Sequence, residues 1–445
     1  GYLRRAGRAV PEGGLTMARK MKDSGIEWIG EIPEGWEVLA HKYIMHKEKS
    51  ICEHYSGEDV ISLTLSGVVK RDLENPSGKM PTTFDGYQFV DPNDLLLCLF
   101  DIDVTPRCVG LVKDYGVTSP AYSRFKIHSG FCNAYYNYLL RFIDDEKVFV
   151  HLSKNLRSSL TESDFGAIKT IVPPKAEQQR IADYLDNRTF EIDTLLSEAR
   201  SSIEEYKKLK QAVIMQAVTK GVRGEREMKD SGVDYIGQIP AKWVLDKLRN
   251  VGDTQNGISK SSEFFGKGFP FVSYSDVYKN YSLPFAVSGL VESTPEEQER
   301  YSVKEGDIFF TRTSETIEEV GFSCVCEKDI PNATFAGFLI RVRPFSDRLY
   351  TPYAKYYFRS THLRFYLVKE MNLVTRASLG QSLLKSMPVL LPPLEEQKEI
   401  ANCLDAKCAE IDRLIAKKEQ LVKELENYKK SLIFEYVTGK KELRR

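Results

Sequence analysis

Val172-Pro173-Pro174-Lys175-Ala176-Glu177-Gln178-Gln179-Arg180-Ile181-Ala182-Asp183-Tyr184-Leu185-Asp186 returns 219 residues later as Leu391-Pro392-Pro393-Leu394-Glu395-Glu396-Gln397-Lys398-Glu399-Ile400-Ala401-Asn402-Cys403-Leu404-Asp405. The register holds without a gap as far as Val218-Thr219, which recur as Val437-Thr438. A second stretch, Met21-Lys22-Asp23-Ser24-Gly25-Ile26-Glu27-Trp28-Ile29-Gly30-Glu31-Ile32-Pro33, recurs at Met228 to Pro240 with the same Lys-Asp-Ser-Gly opening and Ile-Gly-x-Ile-Pro close. A repeat of this period predicts two copies of one structural unit related by a pseudo-two-fold axis. A protein built that way is suited to a target that itself has two halves.

Each Pro-Pro pair opens a helix, since proline is tolerated in the first turn where its missing N–H has no partner to lose. Glu177-Gln178 and Glu395-Glu396 then set acidic side chains near the positive helix end. Apolar residues recur at sevens: Leu185, Ile192, Ala199, Tyr206 and Val213 in the first copy. In the second, Leu404, Ile411, Leu425 and Leu432 form one row, interrupted by Lys418, and Leu414, Leu421 and Tyr428 another. Gly221 and Gly439 mark the ends, because glycine takes the left-handed closing conformation. Each helix then runs about 40 residues, or about 60 Å. A heptad stripe of that length must bury against a partner. The other copy is the obvious one, and the return of the chain to a head makes the pair antiparallel. Charges such as Glu204-Glu205 and Lys417-Lys418-Glu419 suit a solvated rod holding two heads apart better than a pair of core helices.

The heads read as compact and partly β: Val60–Leu65, Asp94–Phe100 and Arg124–Ile127 are short apolar runs bounded by turn residues. Residues 135–157 read as helical, and the cluster Tyr135-Tyr136-Asn137-Tyr138 as core. The heads are themselves distant copies, with Asp94, Phe125 and Ile127 aligned to Asp307, Phe338 and Ile340 at an offset of 213. Between these anchors Phe100-Asp101-Ile102-Asp103-Val104-Thr105-Pro106-Arg107 stands against Thr311-Arg312-Thr313-Ser314-Glu315-Thr316. Two heads of one fold with different loop chemistry are expected to recognise two different things, the alternative being drift after duplication. The expected architecture is α+β: two similar mixed α/β heads, two long antiparallel coiled-coil helices and internal pseudo-two-fold symmetry.

Composition narrows the function. The 445 residues are 42% hydrophobic and 28% charged, ordinary for a globular protein, and no apolar run approaches the roughly 20 residues of a membrane helix. Residues 1–20 read as a leader or upstream residues with no secretory core, and Met17 or Met21 as the natural start. Eight scattered cysteines without a Cys-x-x-Cys indicate reduced thiols in a cytoplasm and no zinc site. Lys plus Arg and Asp plus Glu both number 63, a balance that counts against a nucleic-acid binder unless local patches are hidden within it. The signatures of an amino-methyltransferase and of a phosphate loop are missing from the sequence, while a carboxylate-and-lysine nuclease centre is too degenerate a pattern to read either way. No Asn-Pro-Pro-Tyr or Asp-Pro-Pro-Tyr occurs, Gly78-Lys79 lacks the rest of a phosphate loop, and the six histidines do not pair at ligand spacing. The chain reads as non-catalytic, binding no cofactor and no metal.

The Pro-Pro-x-x-Glu-Gln-x-x-Ile-Ala-x-x-Leu-Asp blocks, the Glu-Ile-Asp that follows each (Glu191-Ile192-Asp193 and Glu410-Ile411-Asp412) and the two Lys-Asp-Ser-Gly openings resemble one family. It is the specificity (S) subunit of type I restriction-modification enzymes, and the resemblance covers about residues 21–440. It implies two target recognition domains, at 21–165 and 228–385, each reading one half of a split site in double-stranded DNA. A central conserved region at 166–227 and a distal one at 386–445 would carry the long helices. It also implies two methyltransferase (M) subunits docked there, using S-adenosylmethionine to methylate adenine, and restriction (R) subunits bringing ATP- and Mg-dependent cleavage. Lys175, where the second copy has Leu394, is the one departure of note and bears on a docking contact.

DNA contacts are expected from loops rich in donors to phosphates and base edges. In the first head these are Lys70, Arg71, Thr105 and Arg107. In the second they are Tyr274, Ser275, Arg312, Thr313, Ser314, Arg376, Ser378 and Gln381. The rival class is a coiled-coil scaffold with two protein-binding heads, which the zero net charge fits.

Overall fold

The computed structural model describes residues 19–65, 67–75, 81–153, 158–314, 320–370 and 377–443. The chain divides into two compact units, residues 1–198 with 421–445, and residues 199–420. Both divisions fall inside the long helices, Lys175–Lys220 and Leu394–Val437. Each unit therefore consists of one head, the N-terminal half of the helix that follows it and the C-terminal half of the other helix.

The two heads share a four-stranded antiparallel sheet. In the first unit, Met45–Lys47, Ser123–Ile127, Leu95–Leu97 and Val109–Leu111 lie side by side in that order. In the second, Gly252–Asn256, Leu339–Pro344, Ile308–Thr311 and Ser323–Val325 repeat the order. The repeated opening stretch is turn chemistry. The Asp23 carboxylate accepts from Gly25 N at 2.9 Å and Ser24 Oγ from Ile26 N at 3.1 Å. Asp230 and Ser231 do the same for Gly232 and Val233 at 3.0 and 3.2 Å. Gly25 (φ 67°) and Gly232 (φ 72°) occupy the left-handed region open to a residue without Cβ.

Pairing register corrects one alignment drawn from the sequence. Leu95 and Ile308 stand 213 apart and are equivalent, but Leu95 faces Phe125 while Ile308 faces Val342. Phe125 therefore corresponds to Val342, and Phe338 lies outside the strand with 65% of its surface exposed. The Asp94–Asp307 equivalence stands. Both carboxylates are buried and bound by an arginine of the neighbouring strand, Arg124 Nε at 2.5 Å and Arg343 Nε at 2.6 Å. Sequence matching slipped because alternating apolar residues look alike when shifted by an even number of positions.

Within each unit the two helix halves run antiparallel. Lys429 reaches Asp193 at 2.6 Å in the first unit, and Lys210 reaches Asp412 at 2.7 Å in the second. Asp193 and Asp412 are repeat equivalents, as are Lys210 and Lys429. Leu185, Ile192 and Ala199 are buried as the heptads require, as are Leu404, Ile411 and Leu432. Leu421 and Tyr428, assigned to a second row, are instead 41% and 47% exposed. They sit off the narrow seam that a two-helix contact can cover. Of the region 135–157, residues 154–157 lie outside the described residues, and the helices Asn133–Asp145 and Val148–Leu152 account for most of the rest. Its tyrosines belong to the core: Tyr135 Oη donates to the Val437 carbonyl at 2.7 Å, and Tyr138 Oη to Asp186 at 2.7 Å.

Candidate nucleic-acid interface

The duplicated Glu-Gln pair locks each head to its helix. Gln178 takes Cys132 N–H at 2.8 Å on its carbonyl oxygen and donates to the Pro173 carbonyl at 2.8 Å. Gln397 takes Tyr350 N–H at 2.8 Å and donates to the Pro392 carbonyl at 2.9 Å. Glu177 receives Trp36 Nε1 at 3.0 Å and Arg19 at 2.7 Å. Glu396 receives Trp243 Nε1 at 3.1 Å and Arg226. Lys175 donates to the Ser129 carbonyl of its own head. These contacts fix where each sheet end is carried.

The most concentrated set of predicted residues lies in the second head, where the strand Ile308–Thr311 runs out of the sheet. Arg312 follows it, its N–H donating to the Phe338 carbonyl at 2.9 Å and its carbonyl accepting from Leu379 N at 2.7 Å. Thr313 and Ser314 pair with Ser378 and Ala377 as a short ribbon. Gln381 opens the helix Gln381–Ser386 beside it. Its amide is fixed at both ends: Thr254 Oγ1 donates to Oε1 at 2.8 Å, and Nε2 donates to Asn256 Oδ1 at 3.0 Å. Arg312, Thr313, Ser378 and Gln381 thus share one edge, with exposed Phe338 beside them. Tyr274 and Ser275 lie in the first turn of the helix Tyr274–Lys279. Tyr274 stacks on Tyr278 (centroids 5.9 Å), Tyr278 contacts Phe322 (5.1 Å), and Phe322 N–H donates to Thr311 Oγ1 at 2.9 Å. That chain of contacts brings them to the same strand end. Arg376 lies outside the described residues.

In the first head, the equivalent loop connects Leu95–Leu97 to Val109–Leu111 and carries Thr105 and Arg107. Cys98 N–H closes its neck by donating to the Cys108 carbonyl at 2.8 Å. Thr105 is half-buried, its carbonyl taking Lys147 Nζ at 3.3 Å. Arg107 turns inward: its side chain is 12% exposed and ion-paired to Asp145 at 3.0 Å. The loop exposes Phe100 and Val104, at 41% and 73%, together with Asp101, Asp103 and Pro106. Lys70 is held by Asp59 at 2.8 Å and Asp114 at 3.7 Å, and the Asp59 hydrogen bond raises its pKa above the usual lysine range. Arg71 follows it, with N–H donating to the Val60 carbonyl at 2.8 Å. Asp114 lies beyond the far end of Val109–Leu111 from Arg107, so Lys70 and Arg107 flank that strand and form no cluster. Among the described residues no group of His, Cys, Asp and Glu could hold a metal ion, and no helix is long and apolar enough to cross a membrane.

Asn256 and Phe338 join the edge of the second head without having been picked out from the sequence. The polar run Asp253-Thr254-Gln255-Asn256, ending a strand just before Gly257, was the available signal for the first. Phe338 gave none, since an aromatic residue beside a strand reads as core.

Two heads with one sheet and unlike loops, each locked to paired helices by a repeated motif, define a class of duplicated two-headed protein. Residues 240–426 match the type I restriction modification DNA specificity domain. Over 287 residues the chain is 25% identical to the type I restriction enzyme EcoKI specificity subunit of Escherichia coli K12, covering 63% of this chain and 60% of that one. Over 281 residues it is 28% identical to the MjaVIII specificity subunit of Methanocaldococcus jannaschii, covering 62% and 63%. The match thus spans about three fifths of each relative's length. A solved chain from work on complex assembly and conformational transition of the type I R-M system superposes with a TM-score of 0.69. That superposition covers 92% of this chain and 99% of the other at 17% identity, a likeness of fold. By these matches the chain is similar to type I restriction-modification specificity subunits.

Proposed function

We propose that this chain is the non-catalytic DNA-reading subunit of a type I restriction-modification complex, each head reading one half of a bipartite site. Methyltransferase subunits dock on the long helices and bring S-adenosylmethionine for adenine methylation. Restriction subunits bring ATP- and Mg-dependent cleavage, and the assembly works in the cytoplasm. The observation that carries the reading is one sheet topology in both heads with different chemistry at the same strand end: Arg312, Thr313 and Ser378 in one, Phe100, Asp101, Asp103, Val104 and Thr105 in the other. Polar side chains there donate to phosphates, which fix register, and to base edges, which fix sequence. The exposed apolar pair of the first head suits thymine methyl groups or an unstacked base step.

The test is long-read detection of modified adenine in DNA from cells co-expressing this chain with its cognate methyltransferase subunit. A motif of two unlike halves with a fixed gap is the expected result. An assembled, competent complex that leaves no modification would refute the DNA reading and favour a scaffold with protein-binding heads.

A further inference from the structure

We propose that Asn256 is a specificity-determining residue of the second head, an adenine reader held in place by Gln381; the assignment rests on the DNA-reading role above. Three features carry it. Asn256 ends the strand Gly252–Asn256 at the edge where Arg312 leaves the sheet, and it is half-exposed. Its amide is oriented by a relay rather than free to rotate. Thr254 Oγ1 donates to Gln381 Oε1 at 2.8 Å, and Gln381 Nε2 in turn donates to Asn256 Oδ1 at 3.0 Å. The Nδ2 donor pair is then aimed away from Gln381, with one Oδ1 lone pair still open. A carboxamide presenting one donor and one acceptor side by side matches adenine in the major groove, taking N6–H on the oxygen and giving N–H to N7. Third, the neighbouring backbone is packed too closely for the edge to drift: a Cβ on Gly257 would fall 2.2 Å from the carbonyl oxygens of Phe335 and Ala336.

Gln381 is the positioning residue and touches no base in this arrangement. Its own amide is used at both ends, so its contribution is to hold Asn256 at one orientation before DNA arrives, which lowers the ordering cost of binding.

The test compares modification motifs of the assembled wild-type, Asn256→Ala, Asn256→Asp and Gln381→Leu complexes, each with its melting temperature. The expected result for Asn256→Ala is loss of adenine preference at one position of one half-site, at least about tenfold, with the other half-site and the melting temperature unchanged. Asn256→Asp replaces the donor by a carboxylate and disfavours the purine N7 acceptor at that position. Gln381→Leu relaxes the same position more weakly. If Asn256→Ala abolishes modification, competition binding with duplexes varied base by base reads the same discrimination. A motif unchanged in Asn256→Ala overturns the assignment while leaving the DNA-reading role intact. A wild-type complex with no two-part motif overturns both.

Discussion

Glu396 has a side chain only 3% exposed, set against Arg226 and Trp243 Nε1, whereas its repeat equivalent Glu177 is 16% exposed against Arg19 and Trp36. Removing one partner of a buried pair leaves an uncompensated charge and costs about 3–5 kcal/mol, far more than an exposed pair is worth. Glu396→Ala should therefore destabilise its unit by that amount and Glu177→Ala by clearly less, as read by denaturant unfolding; equal losses would mean that burial is not what sets the cost. Arg107 is a second case in which burial decides. With Asp145 as partner, Arg107→Ala should lower the melting temperature first, whereas Arg312→Ala should weaken cognate-site binding by about 1–3 kcal/mol at unchanged melting temperature. Affinity lost without a stability change in Arg107→Ala would restore it as a direct contact. Burial also holds the His41 and His362 imidazoles down at about 4 from 6.5. Each stays neutral in the fold while the unfolded chain takes up its proton. The stability this gives is complete above pH 6.5 and is lost as pH falls toward 4. Stability measured across that window should drop by up to about 3 kcal/mol per histidine, and replacing either by glutamine should flatten the profile.

At the scale of elements, the long helices show how local signals and packing share the decision. Pro-Pro starts and glycine stops are local: Gly221 (φ 81°), directly after Lys220, and Gly439 (φ 70°), two residues after Val437, take the left-handed conformation. Gly439 is also crowded, since a Cβ there would lie 2.6 Å from Pro33 and 2.8 Å from Trp36. Gly439→Ala should cost at least the 1–2 kcal/mol of a left-handed alanine, with the excess, measured by thermal unfolding, reporting the clash with Trp36. Which heptad row is used was not local. The Leu404–Ile411–Leu432 row found a neighbour, while Leu421 and Tyr428 remained exposed. Periodicity gives the stripe; only the opposing surface says how wide a stripe it covers. Strand register has the same character. The aspartate before each central strand was legible as a match at the offset of 213, but a β period of two let Phe338 pass for an equivalent of Phe125.

For the whole molecule, the repeat has a consequence beyond symmetry. Each unit takes half of both long helices, so neither head is completed by the chain segment that contains it alone. The helices run without interruption for 46 and 44 residues from one unit into the other. Under the proposed function their length sets the number of unread base pairs between half-sites. Inserting a heptad into both adds about 10 Å of helix. The gap in the methylated motif should then lengthen while both half-site sequences stay the same; an unchanged gap would sink the ruler.

The sequence by itself determined the duplication, the two long helices with their limits, and the family resemblance. Those features rest on periodicity, caps and repeated polar motifs, all of which are written in neighbouring residues. Tertiary structure alone decided which donors share an edge. Arg312, Ser378, Gln381 and Asn256 are brought together by strands distant in sequence, while Lys70 and Arg107 are set apart by a single strand and Arg107 is turned inward by Asp145. Long-range strand pairing and burial choose among otherwise similar exposed-looking side chains, and neither leaves a mark in the local sequence.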